Sequence, residues 1–248
     1  MQMKPKKSKE NTLVSVPHEE IYRSYLDKYD RVRSCMDYEG NILKELMKIV
    51  DIHDKEVVEL AAGTGKITGL LAPFVNRLQA FDLSEEAVDF ARSKFKSADM
   101  IHVTFRIADN RDIPIAGGSA DVVVEGWSLG YLAAVAGSDW KEEINKVIIE
   151  MERLLRPGGT IIILATLGTG IHAPKPPNGV LAALYDFLES EAGFSVTPWF
   201  KTDYLFDSVE EAKQLTTFFW SERLGDFVEK NQMRIVPECS AIWYKKIN

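Results

Sequence analysis

Short apolar runs alternate with helical patterns along the middle of this chain. The runs lie at 56–60, 78–81, 102–107, 121–124 and 160–164. Between them, apolar residues recur at helical spacing, most clearly over 139–155, where Ile144, Val147, Ile148 and Met151 share one face. Regular alternation of strands and helices predicts a mostly parallel sheet with helices on both faces, a doubly wound α/β fold.

The segments on either side of this alternation follow a different rhythm. Two helices are expected before the first strand, at 18–32 and 39–49, as an N-terminal helical cap. After residue 164 we expect a helix at 180–191, an extended segment at 200–206, a helix at 209–229 and an extended segment at 234–244. The sequence predicts one domain over 18–248, made of the cap (18–50), a core (51–165) and a segment that completes the sheet and the substrate side (166–248).

Composition narrows the class of protein. The formal net charge is −7, which disfavours a nucleic-acid partner because binding to nucleic acid depends on neutralising phosphates. No apolar run approaches the roughly 20 residues that a membrane-spanning helix needs, so no membrane partner is expected. Cys35 and Cys239 lie far apart without metal-ligand spacing, which favours free thiols, no metal and a cytoplasmic location. Residues 1–17 are basic and are expected to be a disordered tail.

Glycines and carboxylates follow the predicted strands. The first strand runs into a turn over 61–65 with Gly63 and Gly65, which allow a tight turn and a close approach to a ligand. Asp82 ends the second strand, where a carboxylate can bind a ribose diol. Asp109 and Glu125 follow the third and fourth strands. Acidic side chains at successive strand ends suit a ligand with cationic character better than one that carries phosphates.

The main competing interpretation is a dinucleotide-dependent oxidoreductase. Its fingerprint needs a third glycine, Gly-x-Gly-x-x-Gly. That position is Thr68 when the motif is aligned on Gly63 and Gly65, and Lys66 when it is aligned on Ala61 and Gly63. Neither alignment fits, and the sequence indicates no basic cluster that would offset the carboxylates around a pyrophosphate.

Five motifs in order resemble the class I S-adenosylmethionine (SAM)-dependent methyltransferases. The segments are 57–65, 80–84, 108–109, 120–124 and 153–159. The resemblance implies a seven-stranded sheet whose final strand is antiparallel, so that 234–244 belongs in the sheet. It also implies binding of SAM, with S-adenosylhomocysteine as the product.

The resemblance also assigns roles to residues. Glu59 and the loop 61–65 would hold the methionine part of SAM, and Asp82 would bind the ribose. Leu83 and Asp109 would flank the adenine, and 125–127 would border the methyl group. The full set of expected cofactor-binding residues is Tyr29, Glu59, Ala61, Gly63, Gly65, Asp82, Leu83, Asp109, Asn110, Glu125, Gly126 and Trp127.

One position departs from the family pattern, and one role stays open. Ala61 stands where the family usually has glycine, so we expect a slightly altered loop in which the φ angle of Ala61 is negative. No residue is identified as a general base: His18 and Tyr29 are candidates, but each is more readily explained by surface exposure or packing. The catalytic residues are therefore unknown at this point.

The expected reaction is in-line displacement of the SAM methyl group by a small-molecule acceptor. Neither a Pro-Pro-aromatic signature after the fourth strand nor a Pro-Cys dipeptide is present, which disfavours amino groups of nucleobases and cytosine C5 as acceptors. The main alternative is a non-catalytic SAM-binding regulatory or scaffolding protein. The protein could be a monomer or a homodimer, and the loop 168–179 could be a lid over the pocket or a simple exposed loop.

Overall fold

The computed structural model describes residues 18–96 and 100–248, so the predicted tail over 1–17 lies outside the described residues. The cap contains α1 (His18–Ser24), α2 (Leu26–Cys35) and α3 (Asn41–Ile49). One continuous helix over 18–32 was expected, but the backbone leaves the helical region at Tyr25, with φ −138° and ψ 28°. The Asp37 carboxylate then accepts hydrogen bonds from the backbone N–H groups of Asn41 and Ile42, which starts α3.

All five predicted core strands form, and they pair in parallel in the order β3-β2-β1-β4-β5. Their bounds are β1 (Glu56–Leu60), β2 (Arg77–Asp82), β3 (Val103–Ile107), β4 (Ala120–Gly126) and β5 (Leu155–Thr169). Strand β5 is longer than expected at both ends. The Pro-Gly-Gly segment 157–159 lies inside it, with Gly158 at φ +81°.

Four helices connect these strands: α4 (Lys66–Leu71), α5 (Glu85–Lys94), α6 (Leu129–Ala136) and α7 (Trp140–Leu154). The Ser84 hydroxyl accepts a hydrogen bond from the backbone N–H of Ala87 and caps α5, as its position before two glutamates predicts. Helix α6 was not predicted. Its sequence, LGYLAAVA, is apolar on every side and therefore lacks the periodic pattern by which an amphipathic helix is recognised.

The C-terminal part contains α8 (Gly179–Ser190), β6 (Ser195–Val196), β7 (Phe200–Lys201), β8 (Tyr204–Leu205), α9 (Val209–Phe219), α10 (Glu222–Lys230), β9 (Ile235–Val236) and β10 (Glu238–Lys246). The single helix expected over 209–229 is divided in two. The Ser221 hydroxyl accepts a hydrogen bond from the Leu224 backbone N–H and so caps the start of α10. The extended segment 200–206 is also divided, since β7 pairs with β10 while β8 pairs with β9 in a separate ribbon.

Strand β10 confirms the expected final antiparallel strand. It lies between β5 and the edge strands β6 and β7, and it is antiparallel to all three. The main sheet has eight strands and not seven, because two short strands share the last position beside β10.

The sheet is buried on both faces, as expected for a doubly wound fold. On one face, Val58 and Val123 pack with α6, α7 and α8. On the other, Val57 and Val122 pack with α3, α4 and α5. A third apolar cluster joins the cap to α9 and α10 through residues such as Val32 and Leu215. The cap and the C-terminal helices therefore form one layer beside the carboxyl ends of the strands.

Candidate functional site

A cleft of about 1400 Å³ opens at the carboxyl ends of β1, β2, β4 and β5. We call its first side the strand-end wall, which contains Ala61, Asp82, Leu83, Asp109, Asn110 and residues 125–127. We call the opposite side the C-terminal wall, which comes from the end of β5, α8, the α9–α10 junction and the start of β10. In an open parallel sheet, this edge is where ligands bind.

The loop 61–65, here called the glycine loop, turns through the left-handed region three times. The φ angles are +51° at Ala61, +55° at Gly63 and +82° at Gly65. The expectation of a negative φ at Ala61 is therefore wrong, because alanine adopts the backbone conformation that glycine would occupy. For a residue with a Cβ, this conformation costs about 1–2 kcal/mol. The surrounding strand pairing maintains the shape of the loop in spite of that cost.

Asp82 connects the glycine loop to the end of β2. One carboxylate oxygen accepts a hydrogen bond from the backbone N–H of Gly63 at 2.7 Å, and the other accepts one from Ser84 N–H at 2.9 Å. Burial raises the pKa of this carboxyl, and the backbone hydrogen bonds oppose that change. Each oxygen keeps a second lone pair, and the residue lies on the cleft wall. The carboxylate can therefore accept hydrogen bonds from a bound ligand.

Glu59 lies below the glycine loop and is not on the wall of the large cleft. Its carboxylate is buried and accepts a hydrogen bond from the Thr68 hydroxyl of α4. Burial raises its pKa to about 8, against the effect of that hydrogen bond. The geometry places Glu59 as a link between β1 and α4.

At the other end of the strand-end wall, Leu83 is exposed over 69% of its surface. Asp109 accepts hydrogen bonds from Arg111 at both carboxylate oxygens, and Arg111 also pairs with Glu143. The Arg111 guanidinium lowers the pKa of Asp109. Asn110 lies beside this network on the cleft wall. A flat ring could lie between the Leu83 side chain and these polar groups.

The segment 125–127 leaves β4 with two unusual features. A Cβ on Gly126 would lie 2.4 Å from the terminal methyl group of Ile67, which would have to move to make room. Trp127 has φ +64°, and its indole N–H is buried without a hydrogen-bond partner in the described chain. Glu125 is completely buried, and two backbone N–H groups hold only one of its oxygens. Strained backbone and orphaned polar atoms concentrate at this point of the cleft.

Tyrosines from the cap cover the glycine loop. A Cβ built on Gly63 would lie 3.7 Å from the Tyr22 hydroxyl oxygen and 3.8 Å from the Tyr29 ring. The two rings meet edge to face, and Tyr29 also contacts Phe219 of α9. Tyr29, predicted to lie near the cofactor, is therefore on the cleft wall between the loop and the C-terminal helices.

Two buried charged residues of the site were missed by the sequence analysis. Arg33 of α2 is buried, and its guanidinium stacks over the Trp127 ring with 4.2 Å between carbon and centroid. Glu238, at the start of β10, is also buried and accepts a hydrogen bond from the Thr166 hydroxyl. Burial raises the pKa of Glu238 to about 7. Neither residue belongs to a motif. No basic cluster was expected around the carboxylates of the crevice, but the Arg33 guanidinium places one positive charge near the glycine loop.

Of the twelve expected cofactor-binding residues, nine lie on the cleft wall. They are Tyr29, Ala61, Asp82, Leu83, Asp109, Asn110, Glu125, Gly126 and Trp127. Gly63 and Gly65 shape the loop, and Glu59 supports it from below. Two histidines lie away from the cleft: His102 hydrogen-bonds to the Ala72 carbonyl, and His53 hydrogen-bonds to Asp51.

Comparisons with known proteins agree with this arrangement. Residues 58–163 match a family model described as a methyltransferase domain. The chain is 25% identical over 154 residues to the demethylmenaquinone methyltransferase of Lactococcus lactis, covering 60% of this chain and 58% of that protein. It is 25% identical over 188 residues to a ubiquinone/menaquinone biosynthesis C-methyltransferase of Wigglesworthia glossinidia brevipalpis, covering 73% and 67%.

A solved structure extends the similarity beyond the matched domain. The SAM-dependent methyltransferase of Aquifex aeolicus superposes with a TM-score of 0.58 at 17% identity, covering 91% of this chain and 98% of that one. The predicted class I methyltransferase fold is confirmed, and residues 58–163 match a methyltransferase domain. Within the described residues, no helix combines the length and apolar character needed to cross a membrane.

Proposed function

We propose that this protein transfers the methyl group of SAM to a small-molecule acceptor by in-line displacement. The observation that carries this proposal is the Asp82 carboxylate, which links the glycine loop to the end of β2 on the wall of the cleft. This arrangement occurs within a segment that matches a methyltransferase domain. SAM supplies an electrophilic methyl group on a sulfonium, and the protein mainly has to position the acceptor in line with it.

The hydrogen-bonding and charged groups on the cleft walls fit the groups of SAM. We assign the ribose hydroxyls to Asp82, the methionine part to the glycine loop and Tyr29, and the adenine to the space near Leu83, Asp109 and Asn110. The loop exposes backbone close to the cleft, and the carboxylates suit a cofactor that carries a positive charge. Glu59 supports the loop in this assignment without touching the cofactor.

We further propose that the acceptor is a small, largely apolar molecule with a ring. The C-terminal wall supports this, because its lining includes Leu181, Leu184, Tyr204, Phe219 and Trp220. Aromatic side chains bind flat apolar ligands by stacking and edge contacts. The two relatives named above are, by their names, methyltransferases of demethylmenaquinone and of ubiquinone/menaquinone biosynthesis, which is the same class of acceptor.

The proposed setting is the cytoplasm, with the protein as a monomer or homodimer and no nucleic-acid partner. Cys35 and Cys239 are buried free thiols, which suits a reducing compartment. The net charge of −7 opposes binding to phosphate backbones.

Calorimetry with SAM, S-adenosylhomocysteine and NAD tests the cofactor assignment. We expect the first two to bind at one site per chain and NAD not to bind. Tight NAD binding without SAM binding would overturn the proposal in favour of an oxidoreductase. If SAM binds, a screen of hydroxylated aromatic acceptors with tritiated SAM tests transfer. A protein that binds SAM but methylates none of these acceptors would contradict the proposed acceptor class and favour the non-catalytic alternative.

A further inference from the structure

The Glu125 carboxyl has one oxygen that is fixed and one that is free. Glu125 Oε1 accepts hydrogen bonds from the backbone N–H groups of Ser128, at 2.5 Å, and Leu129, at 3.2 Å. Glu125 Oε2 is buried and has no hydrogen-bond partner among the described residues, and the Ser128 hydroxyl, which lies close enough to lower the pKa of Glu125, is likewise unpartnered. A buried acceptor without a partner costs about 1–3 kcal/mol, so it needs an explanation. Because Glu125 lines the cleft, a ligand can provide the missing partner.

The position of Glu125 connects the two walls of the cleft. Its backbone pairs with Leu60, the residue directly before the glycine loop. On the other side lies Tyr185 of α8, whose phenol pKa is raised mainly by burial and then by the nearby charges of Glu238 and Glu125. The Tyr185 hydroxyl itself donates to the Thr166 carbonyl at 2.7 Å and so does not serve Glu125. The free oxygen therefore lies between the expected cofactor position and the apolar side of the cleft.

No cation on the cleft walls is paired with this carboxyl. Arg33 of α2 stacks on Trp127, and Arg111 is bound to Asp109 and Glu143. The other buried carboxyl of the cleft, Glu238 of β10, accepts a hydrogen bond from Thr166 at Oε1, and its Oε2 is also without a partner among the described residues, but Glu238 belongs to the C-terminal wall and not to the strand that leads into the glycine loop. Burial raises the pKa of Glu125 to about 7, and hydrogen bonds from Ser128 and Leu129 oppose that rise. A general base works best with a pKa near the operating pH.

We propose that Glu125 is the general base of the reaction, and that the acceptor therefore carries a proton on the reacting group or on a hydroxyl conjugated to it. This inference rests on the proposed methyltransferase function. Two backbone N–H groups hold Oε1, which leaves Oε2 as the oxygen that can take the proton of the acceptor.

The proton and electrons balance without another reactant. The acceptor's bond to hydrogen breaks, and the proton goes to Glu125 Oε2. The electron pair that is released forms the new bond to the methyl carbon, directly or through the conjugated ring. The pair of the broken sulfur–methyl bond stays on sulfur, and the sulfonium charge and the carboxylate charge disappear together.

A cationic ligand next to Glu125 should also ionise it. A nearby positive charge favours the carboxylate form and lowers its pKa. SAM carries the sulfonium charge, whereas S-adenosylhomocysteine has a neutral sulfur and otherwise the same groups. At pH 7, close to the raised pKa of Glu125, part of the Glu125 side chains is protonated in the free protein. Binding of SAM therefore releases more protons than binding of S-adenosylhomocysteine does.

The experiment is calorimetry of both ligands at pH 7 in buffers with different ionisation enthalpies, which gives the number of protons released. We expect a difference between SAM and S-adenosylhomocysteine in the wild type, its loss in Glu125→Gln, and its retention in the matched variant Glu238→Gln. The glutamine keeps an acceptor for Ser128 and Leu129. In the wild type alone, the difference should fall toward zero at pH 9, where Glu125 is already ionised in the free protein.

Each outcome bears on a different claim. If neither ligand binds the wild type, the proposed function fails. If both bind but the wild type shows no difference in protons released, or Glu125→Gln keeps the difference, the assignment of Glu125 is wrong while the methyltransferase proposal stands. Should Glu125→Gln not fold, the pH dependence of the wild type still decides, because a difference that persists at pH 9 contradicts the role of Glu125.

Discussion

The two walls of the cleft are built in different ways. On the strand-end wall, carboxylates are held by main-chain N–H groups: Asp82 by Gly63 and Ser84, and Glu125 by Ser128 and Leu129. On the C-terminal wall, side chains from distant elements meet, as Thr166 does with Glu238. A site held by the backbone keeps its shape when surrounding side chains change. A site assembled from side chains can change its specificity, which is how one fold serves many acceptors.

The largest effect that tests this comparison is expected at Gly65. In Gly65→Ala, the new Cβ would lie 2.5 Å from the Phe95 ring, and the backbone has φ +82°. The strain and the contact together should lower the free energy of unfolding by about 2–4 kcal/mol, measured by urea denaturation. Gly193→Ala is the matched control, because Gly193 has φ +76° but no atom near the new Cβ. That variant should lose about 1 kcal/mol.

An equal loss of unfolding free energy in the two glycine variants would show that the packing of the glycine loop against Phe95 does not contribute to stability. In that case the rigidity attributed to the strand-end wall would come only from its backbone conformation.

A somewhat smaller effect, on the dissociation constants of SAM and S-adenosylhomocysteine, tests whether only the strand-end wall binds the cofactor. Asp82→Ala should weaken the binding of SAM and of S-adenosylhomocysteine by about 10- to 100-fold, because hydrogen bonds to a charged group contribute about 1.5–3 kcal/mol. Glu238→Gln should leave both dissociation constants within about twofold, since Glu238 lies on the opposite wall. Calorimetry measures both variants, with circular dichroism to check folding. Equal weakening in the two variants would contradict the division of the cleft into two independent walls.

The smallest effect concerns the strained alanine. Ala61→Gly should raise the free energy of unfolding by about 0.5–1 kcal/mol, because relief of the left-handed strain exceeds the greater entropy of glycine in the unfolded chain. Ala62→Gly, next to it, should lower stability instead, since Ala62 is buried and is not among the residues with positive φ. Urea unfolding of both variants provides the test, and destabilisation by Ala61→Gly would mean that the methyl group of Ala61 stabilises the loop by packing.

The same contrast explains what the sequence could predict. The core strands and Asp82 follow from patterns within short windows, namely apolar runs and a carboxylate at a strand end. The final antiparallel strand could be predicted because the family resemblance implied it, and the pairing of β10 with β5 confirms it. The positive φ of Ala61 was missed because alanine seldom adopts it, and only the strand pairing around the loop enforces it.

Features formed by long-range contacts carried no signal in the sequence. Arg33 is one of many arginines until α2 places it over Trp127, which is distant along the chain. The break between α9 and α10 depends on Ser221 being used as a cap, although serine is also common inside loops. Helix α6 lacks a polar face, so its burial between the sheet and α8 became visible only in the fold.

The position of β10 has a consequence for how the protein is made. Residues 238–246 are made after β5, with α8, α9 and α10 in between, yet they pair along most of β5. Until they arrive, β5 presents an open edge of unpaired backbone groups, which is a template for association with another chain. The nascent chain therefore passes through a stage at which the first five strands can pair while one edge of β5 is still open to association with other chains.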